Sequence, residues 1–305
     1  MSLSRVNAFL DLHPEFTLEG VTQPGHGTTN KVYFVRWGEN LAVIKVFCER
    51  ERKDRECFGL THWQSTGLFP KLIYADDPTM IVMSHIPGMY LSQSRQLEGE
   101  QHWRAACRAA GHAIASLTRV PLPVADVTRF ESRFYGAQTL RSFLERVLEL
   151  GRLIHSRDSD FSGDFWRNSL DFMESSLETL LAQQRILYHQ DMQYNVSGGK
   201  FRGFFDVEMC RVGTAAIQLG SSLSAIRVED GSWEFFKQGW ETAAGVLTQT
   251  DLEGAAAFNH VMTWRVISRY FSYDGRPGTG FDWASPADPV WARQTIERID
   301  KMLGV

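Results

Sequence analysis

The period of the hydrophobic pattern changes along this chain. In the first third, apolar positions alternate with polar ones or run in short blocks, as strands require. Phe16 to Thr22 alternates, and Lys31 to Trp37 and Leu41 to Phe47 flank a Gly38-Glu-Asn40 turn. That arrangement predicts a strand followed by a hairpin. Leu68 to Ala75 reads as a turn into a strand, Asp76-Asp-Pro78 as a tight turn, and Met80 to Ser84 as a further strand. Between them, residues 49–65 are charged early and apolar late, with Phe58, Leu60 and Trp63 on a loose helical face. Beyond residue 90 the spacing becomes three to four. Trp103, Ala106, Ala110, Ile114 and Leu117 share one helix face; Leu140, Phe143, Leu144, Val147 and Leu148 share a second. Trp166, Leu170, Met173, Leu177 and Leu180 share a third. Pro121-Leu-Pro123 ends the first, and the polar stretch 156–165 is a loop suited to cap the third. Helices resume through Trp233 to Leu247, through 251–272, and near 288–303. The expectation is an α+β chain, with a small antiparallel sheet first and a larger helical part after it. His85-Ile-Pro87-Gly88 breaks the pattern, so the two parts divide as 1–86 and 87–305.

One stretch interrupts the helices. Arg185 to Tyr188 is a short apolar strand leading into His189-Gln-Asp191-Met-Gln-Tyr-Asn195. A hairpin on Gly198-Gly199 follows and ends in Phe205-Asp206-Val-Glu208. Carboxylates and a carboxamide are hard oxygen donors suited to Mg²⁺. An aspartate close behind a histidine can accept a proton. Upstream, Gly25 and Gly27 lie in the turn Gln23 to Asn30, between two strands. Glycines there let backbone N–H groups approach a phosphate, although a plain hairpin turn has the same composition. Lys45 closes the apolar run Ala42-Val-Ile, either as a phosphate-pairing cation or as an edge lysine that discourages aggregation.

Composition narrows the classes. The chain has 305 residues, 43% of them hydrophobic, and a net charge of −4. A substantial core is available at this size, and with no basic patch nucleic acid is not the expected partner. The N-terminal residues lack the basic and apolar blocks of a signal peptide. No apolar run approaches the roughly 18 residues of a membrane span. Cys48, Cys57, Cys107 and Cys210 are scattered and read as free thiols in a reducing, cytoplasmic setting.

The segments HQDMQYNV and FFDVE, with the glycine turn and Lys45 before them, resemble the aminoglycoside phosphotransferase and choline-kinase-like family. Those are small-molecule kinases on a bilobal, protein-kinase-like fold. The resemblance implies ATP as cofactor, with GTP left open, and Mg²⁺. It implies Asp191 and His189 as the catalytic pair, with Asp191 facing the acceptor hydroxyl and His189 bracing the loop. Asn195 and Asp206 become metal ligands, with Glu208 a further or water-mediated one. Gly25, Gly27, Thr28 and Asn30 would cover the phosphates, and Lys45 would pair with them. Glu56 would orient Lys45, with Glu49 and Glu51 as alternatives or all three as solvated charges. Met83 and His85 fall in the hinge segment 83–86, whose backbone would hold the base.

Two departures concern the metal. The spacing from Asp191 to Asn195 is one residue shorter than the resemblance implies, so Gln193 is an alternative donor, and Gln190 stands where relatives favour glycine. A third is Gln218, where relatives usually carry aspartate. The acceptor is a hydroxylated small molecule; aminoglycosides, choline or ethanolamine, homoserine-like compounds and sugars all remain open. Trp233, Trp240, Trp264, Tyr270, Phe271, Tyr273 and Trp283 would either cage a cation or pack as core; Glu229, Asp230, Asp274 and Asp282 would hold a cationic acceptor. The oligomeric expectation is a monomer or weak homodimer. The competing reading is a catalytically weak kinase-fold protein that binds a nucleotide or a partner.

Overall fold

The computed structural model describes residues 2–21, 30–123, 127, 139–190, 193–225, 231–270 and 288–305. The first helix, α1 (Ser2–Leu12), leads into a five-stranded antiparallel sheet. Its strands are β1 (Phe16–Val21), β2 (Lys31–Trp37), β3 (Asn40–Val46), β4 (Leu72–Tyr74) and β5 (Met80–Ser84), in the order β1-β2-β3-β5-β4. Strand side chains alternate between faces, and the packing follows that rule. Ala42, Ile44 and Val46 join Met80 and Val82 in a cluster closed by Val6 and Phe9 of α1. Val43 and Phe47 join Ile81 and Met83 in the main core on the other face. Lys45 stands between Val43 and Phe47 in that alternation, opposite Ile81 on β5 and Val32 on β2. Register therefore aims this lysine at the rest of the molecule.

Helix α2 (Arg50–His62) joins β3 to β4. The chain leaves the sheet at His85, whose backbone N–H donates to the Leu41 carbonyl at 3.1 Å. Gly88 has φ +135°, and a Cβ there would lie 2.7 Å from the Val196 carbonyl oxygen. Only glycine combines that backbone with that approach. The two-residue strand β6 (Met89–Tyr90) then enters a second sheet of order β6-β8-β9.

The remainder is helical, as the three-to-four spacing predicts. It contains α3 (Leu91–Glu98), α4 (Glu100–Leu117), α5 (Leu140–Arg157), α6 (Asp164–Ala182), α7 (Ala215–Ala225), α8 (Ser232–Ala244), α9 (Gln249–Tyr270) and α10 (Pro289–Leu303). The strands β7 (Ile186–His189) and β10 (Cys210–Gly213) pair with each other, and β8 (Gln193–Ser197) and β9 (Lys200–Phe205) form the expected hairpin on Gly198-Gly199. Two small antiparallel pairings thus carry the polar stretch 189–208 on top of a helical lobe. Helices α1, α3 and α7 and strands β6 and β10 were not expected from the pattern. Stretch 156–165 is less open than predicted: α5 runs to Arg157 and Ser159–Phe161 forms a 3-10 turn.

Candidate active site

Helix α2 presents one face to the sheet and the hairpin. Arg52, Glu56, Gly59 and Trp63 are spaced four, three and four residues apart, which stacks them on a single side of a helix. Glu56 Oε2 accepts from Lys45 Nζ at 3.0 Å, and both side chains are buried. Glu49 lies outside the helix with an exposed side chain and Glu51 is exposed on its first turn, so of the three glutamates it is Glu56 that meets Lys45. Where Gly59 stands, a Cβ would lie 3.2 Å from Val207 and 3.3 Å from Cys210, so α2 sits directly on segment 206–210.

Lys45 reaches two more carboxylates. Its Nζ lies 2.5 Å from Asp206 Oδ1 and 3.3 Å from Glu208 Oε2. Burial opposes its charge, but the surrounding carboxylates prevail and raise its pKa above the ordinary lysine value. Asp206 is the only described non-glycine residue with positive φ (64°), which turns it out of β9 toward the lysine. Burial works against its charge as well, yet Lys45 holds its carboxyl below the usual range. Burial pushes Glu56 the other way, up to about 7, against the pull of Lys45. Oxygens of Glu56, Asp206 and Glu208 all lie within 4.8 Å of one another. Such a set of hard oxygen donors suits a divalent cation of the magnesium type. Asp206 is the most solvent-accessible of the three, with 39% of its side chain exposed against 1% and 8%.

Glu208 is held from several sides. Arg52 Nη1 donates to Oε1 at 3.0 Å, and Asn30 Nδ2 donates to Oε2 alongside Lys45. Arg52 was not singled out in the sequence, because it lies within a run of charges that normally faces water. The available signal was spacing: one helical turn separates it from Glu56.

Asn195 lies on β8, opposite Tyr90 and Gly203, beside an irregularity in the ladder. Its Nδ2 donates to the Ile86 carbonyl at 2.8 Å, just after the hinge strand. That bond uses the nitrogen and leaves Oδ1, the atom a cation would take. Met83 is buried between Val43 and Leu72, and the His85 ring meets Phe34 edge-on at 5.7 Å. Burial lowers the His85 pKa.

His189 is fully buried, and its ring lies near-parallel to those of Trp63 and Phe69. Its Nε2–H donates to the Phe205 carbonyl at 3.3 Å, the peptide directly before Asp206. Burial lowers its pKa to about 4, so the ring is neutral near pH 7 and suited to bracing. Gln218 on α7 accepts from the His189 backbone N–H at 2.9 Å and donates to its carbonyl at 3.4 Å. Ser221 donates to the carbonyls of His189 and Gln190. A neutral polar face of α7 therefore holds the loop at the position where relatives carry aspartate.

Asp191, Gly25, Gly27 and Thr28 lie outside the described residues, as do Glu229, Asp230, Phe271, Tyr273, Asp274, Asp282 and Trp283 and the side chain of Tyr270. Trp233, Trp240 and Trp264 are core residues, at most 6% exposed, which takes these three out of any cation cage. Among the described residues, no helix is long and apolar enough to cross a membrane, and all four cysteines are free.

The sequence model of the phosphotransferase enzyme family matches residues 20–258. A crystal structure of a thermostable mutant of aminoglycoside phosphotransferase APH(4)-Ia, a ternary complex with AMP-PNP and hygromycin B, is similar over 97% of this chain and 98% of that one. Its TM-score is 0.63 at 13% identity. ADP-bound APH(2'')-Ib is similar over 97% of both chains, with a TM-score of 0.58 at 14% identity. A Plasmodium vivax ethanolamine kinase is similar over 95% of this chain and 85% of its own, with a TM-score of 0.59 at 12% identity. No curated protein matches the chain by sequence.

Proposed function

The chain belongs to the phosphotransferase enzyme family, and on that premise we propose that it moves the γ-phosphate of ATP to a hydroxyl of a small molecule. The observation that carries this reading is Lys45, buried on the inner face of the sheet and bonded to both Glu56 and Asp206. Phosphoryl transfer asks a protein for positioning and charge neutralisation more than for covalent chemistry. Lys45 supplies a cation for the non-transferred phosphates, and Glu56 aims it. Residues 1–86 form the nucleotide lobe in this reading, and 87–305 carry the catalytic loop and the acceptor site. Gly25, Gly27, Thr28 and Asn30 cover the phosphates, and the backbone around Met83 and His85 receives the base.

Asp206 and the Asn195 side-chain carbonyl oxygen would hold Mg²⁺, which when bound would neutralise the phosphate oxygens. Asp191 takes the proton of the acceptor hydroxyl as the new O–P bond forms and ADP leaves. His189 and Gln218 hold that loop in place. The acceptor class is an amino alcohol, aminoglycoside or sugar, in line with the hygromycin B complex and the ethanolamine kinase among similar structures.

The test is Mg²⁺-dependent ADP release across a panel of such alcohols, with Asp191→Ala as control. The reading expects an acceptor that stimulates turnover at least a hundredfold more in the wild type than in the variant. Nucleotide binding without turnover on any acceptor would instead favour a kinase-fold binding protein.

A further inference from the structure

Glu208 is the most heavily engaged carboxylate of the cluster, faced by three side chains of the protein. Oε2 receives Asn30 Nδ2 and Lys45 Nζ, and Oε1 receives Arg52 Nη1. Oε2 therefore faces the Asn30 amide and, at 3.3 Å, the Lys45 ammonium. A cation on Oε1 would sit beside the Arg52 guanidinium, an unfavourable pairing at such short range. Glu208 is buried on the 3-10 turn Val207–Met209. Its three donors come from three other segments: Asn30 closes the glycine turn, Lys45 lies on β3, and Arg52 lies on α2. Arg52 itself has only 16% of its side chain exposed, so this is no loose surface pair.

We propose that Arg52 and Glu208 form a latch that holds α2 and the end of the glycine turn around Lys45. Glu208 is then a positioning residue rather than a metal ligand. The latch rests on the kinase reading only in its effect on the nucleotide. Its chemistry favours arginine, because a guanidinium always remains charged and keeps directed donors for both Glu208 and the neighbouring Glu49, whose Oε2 lies 3.5 Å from Arg52 Nε. The latch also adds a second cation to a buried group of three carboxylates, and Arg52 is one of the charges that lower the Asp206 pKa.

Calorimetry with ATP alone and with Mg-ATP, an Mg²⁺ titration of turnover, and urea unfolding test the proposal on Arg52→Met, Arg52→Lys, Glu208→Gln and the Arg52→Met/Glu208→Gln double variant. Arg52→Met and Glu208→Gln should each weaken metal-free ATP binding about tenfold. The double variant should be little worse than either single one, since both remove the same interaction. Arg52→Lys should recover only part of the loss, since it keeps the charge but not the fork of donors, and the Mg²⁺ midpoint should stay within about twofold of wild type. Two results overturn the latch: a tenfold shift of the Mg²⁺ midpoint in Glu208→Gln with metal-free binding intact, or additive effects of the two single changes. If the wild type binds no nucleotide, the kinase reading falls on its own. The latch is then judged by unfolding, where additive losses would refute it and strongly non-additive losses would support it.

Discussion

His189 shows how one residue links packing, electrostatics and function. It lies sealed against Trp63 and Phe69, with its backbone held by Gln218 and its Nε2–H on the carbonyl before Asp206. Its depressed pKa has a stability consequence. Between about pH 4 and pH 6.5 the unfolded chain binds a proton that the folded histidine refuses. Stability from this residue is therefore fully present above pH 6.5 and is lost as pH falls toward 4, by up to about 3 kcal/mol. Glu56 works in the opposite sense between its ordinary value of 4.5 and about 7, binding more protons folded than unfolded. The two are separated by comparing wild type with His189→Gln in urea at a series of pH values. The stability difference between them should widen as pH rises from 4 to 7; parallel curves would contradict a buried neutral histidine. At this scale the sequence was informative where a motif marks both partners, as for Lys45, Glu56 and Asp206, which the structure brings together. It was silent where a residue lies outside any motif or its partner does. Arg52 meets Glu208 across 156 positions, and Asn195 meets Ile86 across 109.

At the scale of elements, the apolar period located all the long helices of the second part, because each buries a continuous stripe. Helix α7 was missed because small and polar residues interrupt its buried apolar ones; α1 and β6 were missed because they lack such a stripe. Helix α1 buries Val6 and Phe9 but exposes Leu3 and Leu12, and β6 is two residues long and is defined only by its pairing with β8. One helix contact depends on what is absent. Helices α4 and α8 cross where Gly111 faces the Phe236 carbonyl and Gly239 faces the Arg108 carbonyl; a Cβ would come within 2.0 and 1.8 Å of those oxygens. Both obstacles are backbone, so no side chain can rotate away. Gly239→Ala should cost about 3 kcal/mol, seen as a lower urea midpoint with an unchanged slope. An unchanged midpoint would show that the crossing is looser than these distances indicate. A second contact resembles a hydrolase triad and is not one. Trp264 Nε1–H donates to Ser169 Oγ at 3.0 Å, Ser169 faces His260 Nδ1 at 2.9 Å, and His260 Nε2 faces Asp300 at 3.0 Å. Ser169 and His260 are buried, so no substrate reaches the hydroxyl. The chain of donors instead ties α6 and α9 to the C-terminal helix α10.

At the scale of the whole molecule, the sheet supplies Lys45, α2 supplies Glu56, and the helical lobe supplies Asp206 and Glu208; they meet at segment 206–208. The alternation along β3 sends Lys45 inward, the positive φ at Asp206 turns its carboxylate toward it, and the Arg52–Glu208 pair closes the group from the side of α2. Each contribution has a local cause, and none is functional alone. The bilobal plan was legible from the change of period near residue 90, because sheet and helix bury their apolar residues at different spacings. The acceptor was not legible, because the aromatic residues that suggested a cage serve the core wherever they are described.

The measurement that bears most directly on the whole account is detection of a phosphate monoester by ³¹P NMR. It would follow ATP, Mg²⁺ and each alcohol of the panel with wild type and with Asp206→Asn, a variant that keeps the side-chain shape and removes the charge facing Lys45. The account predicts an ester with wild type on at least one alcohol, and formation at least a hundredfold slower with a folded Asp206→Asn. Equal ester formation by the two proteins would contradict the role given to the Lys45–Asp206 pair, and no ester on any alcohol would contradict the proposed transfer itself.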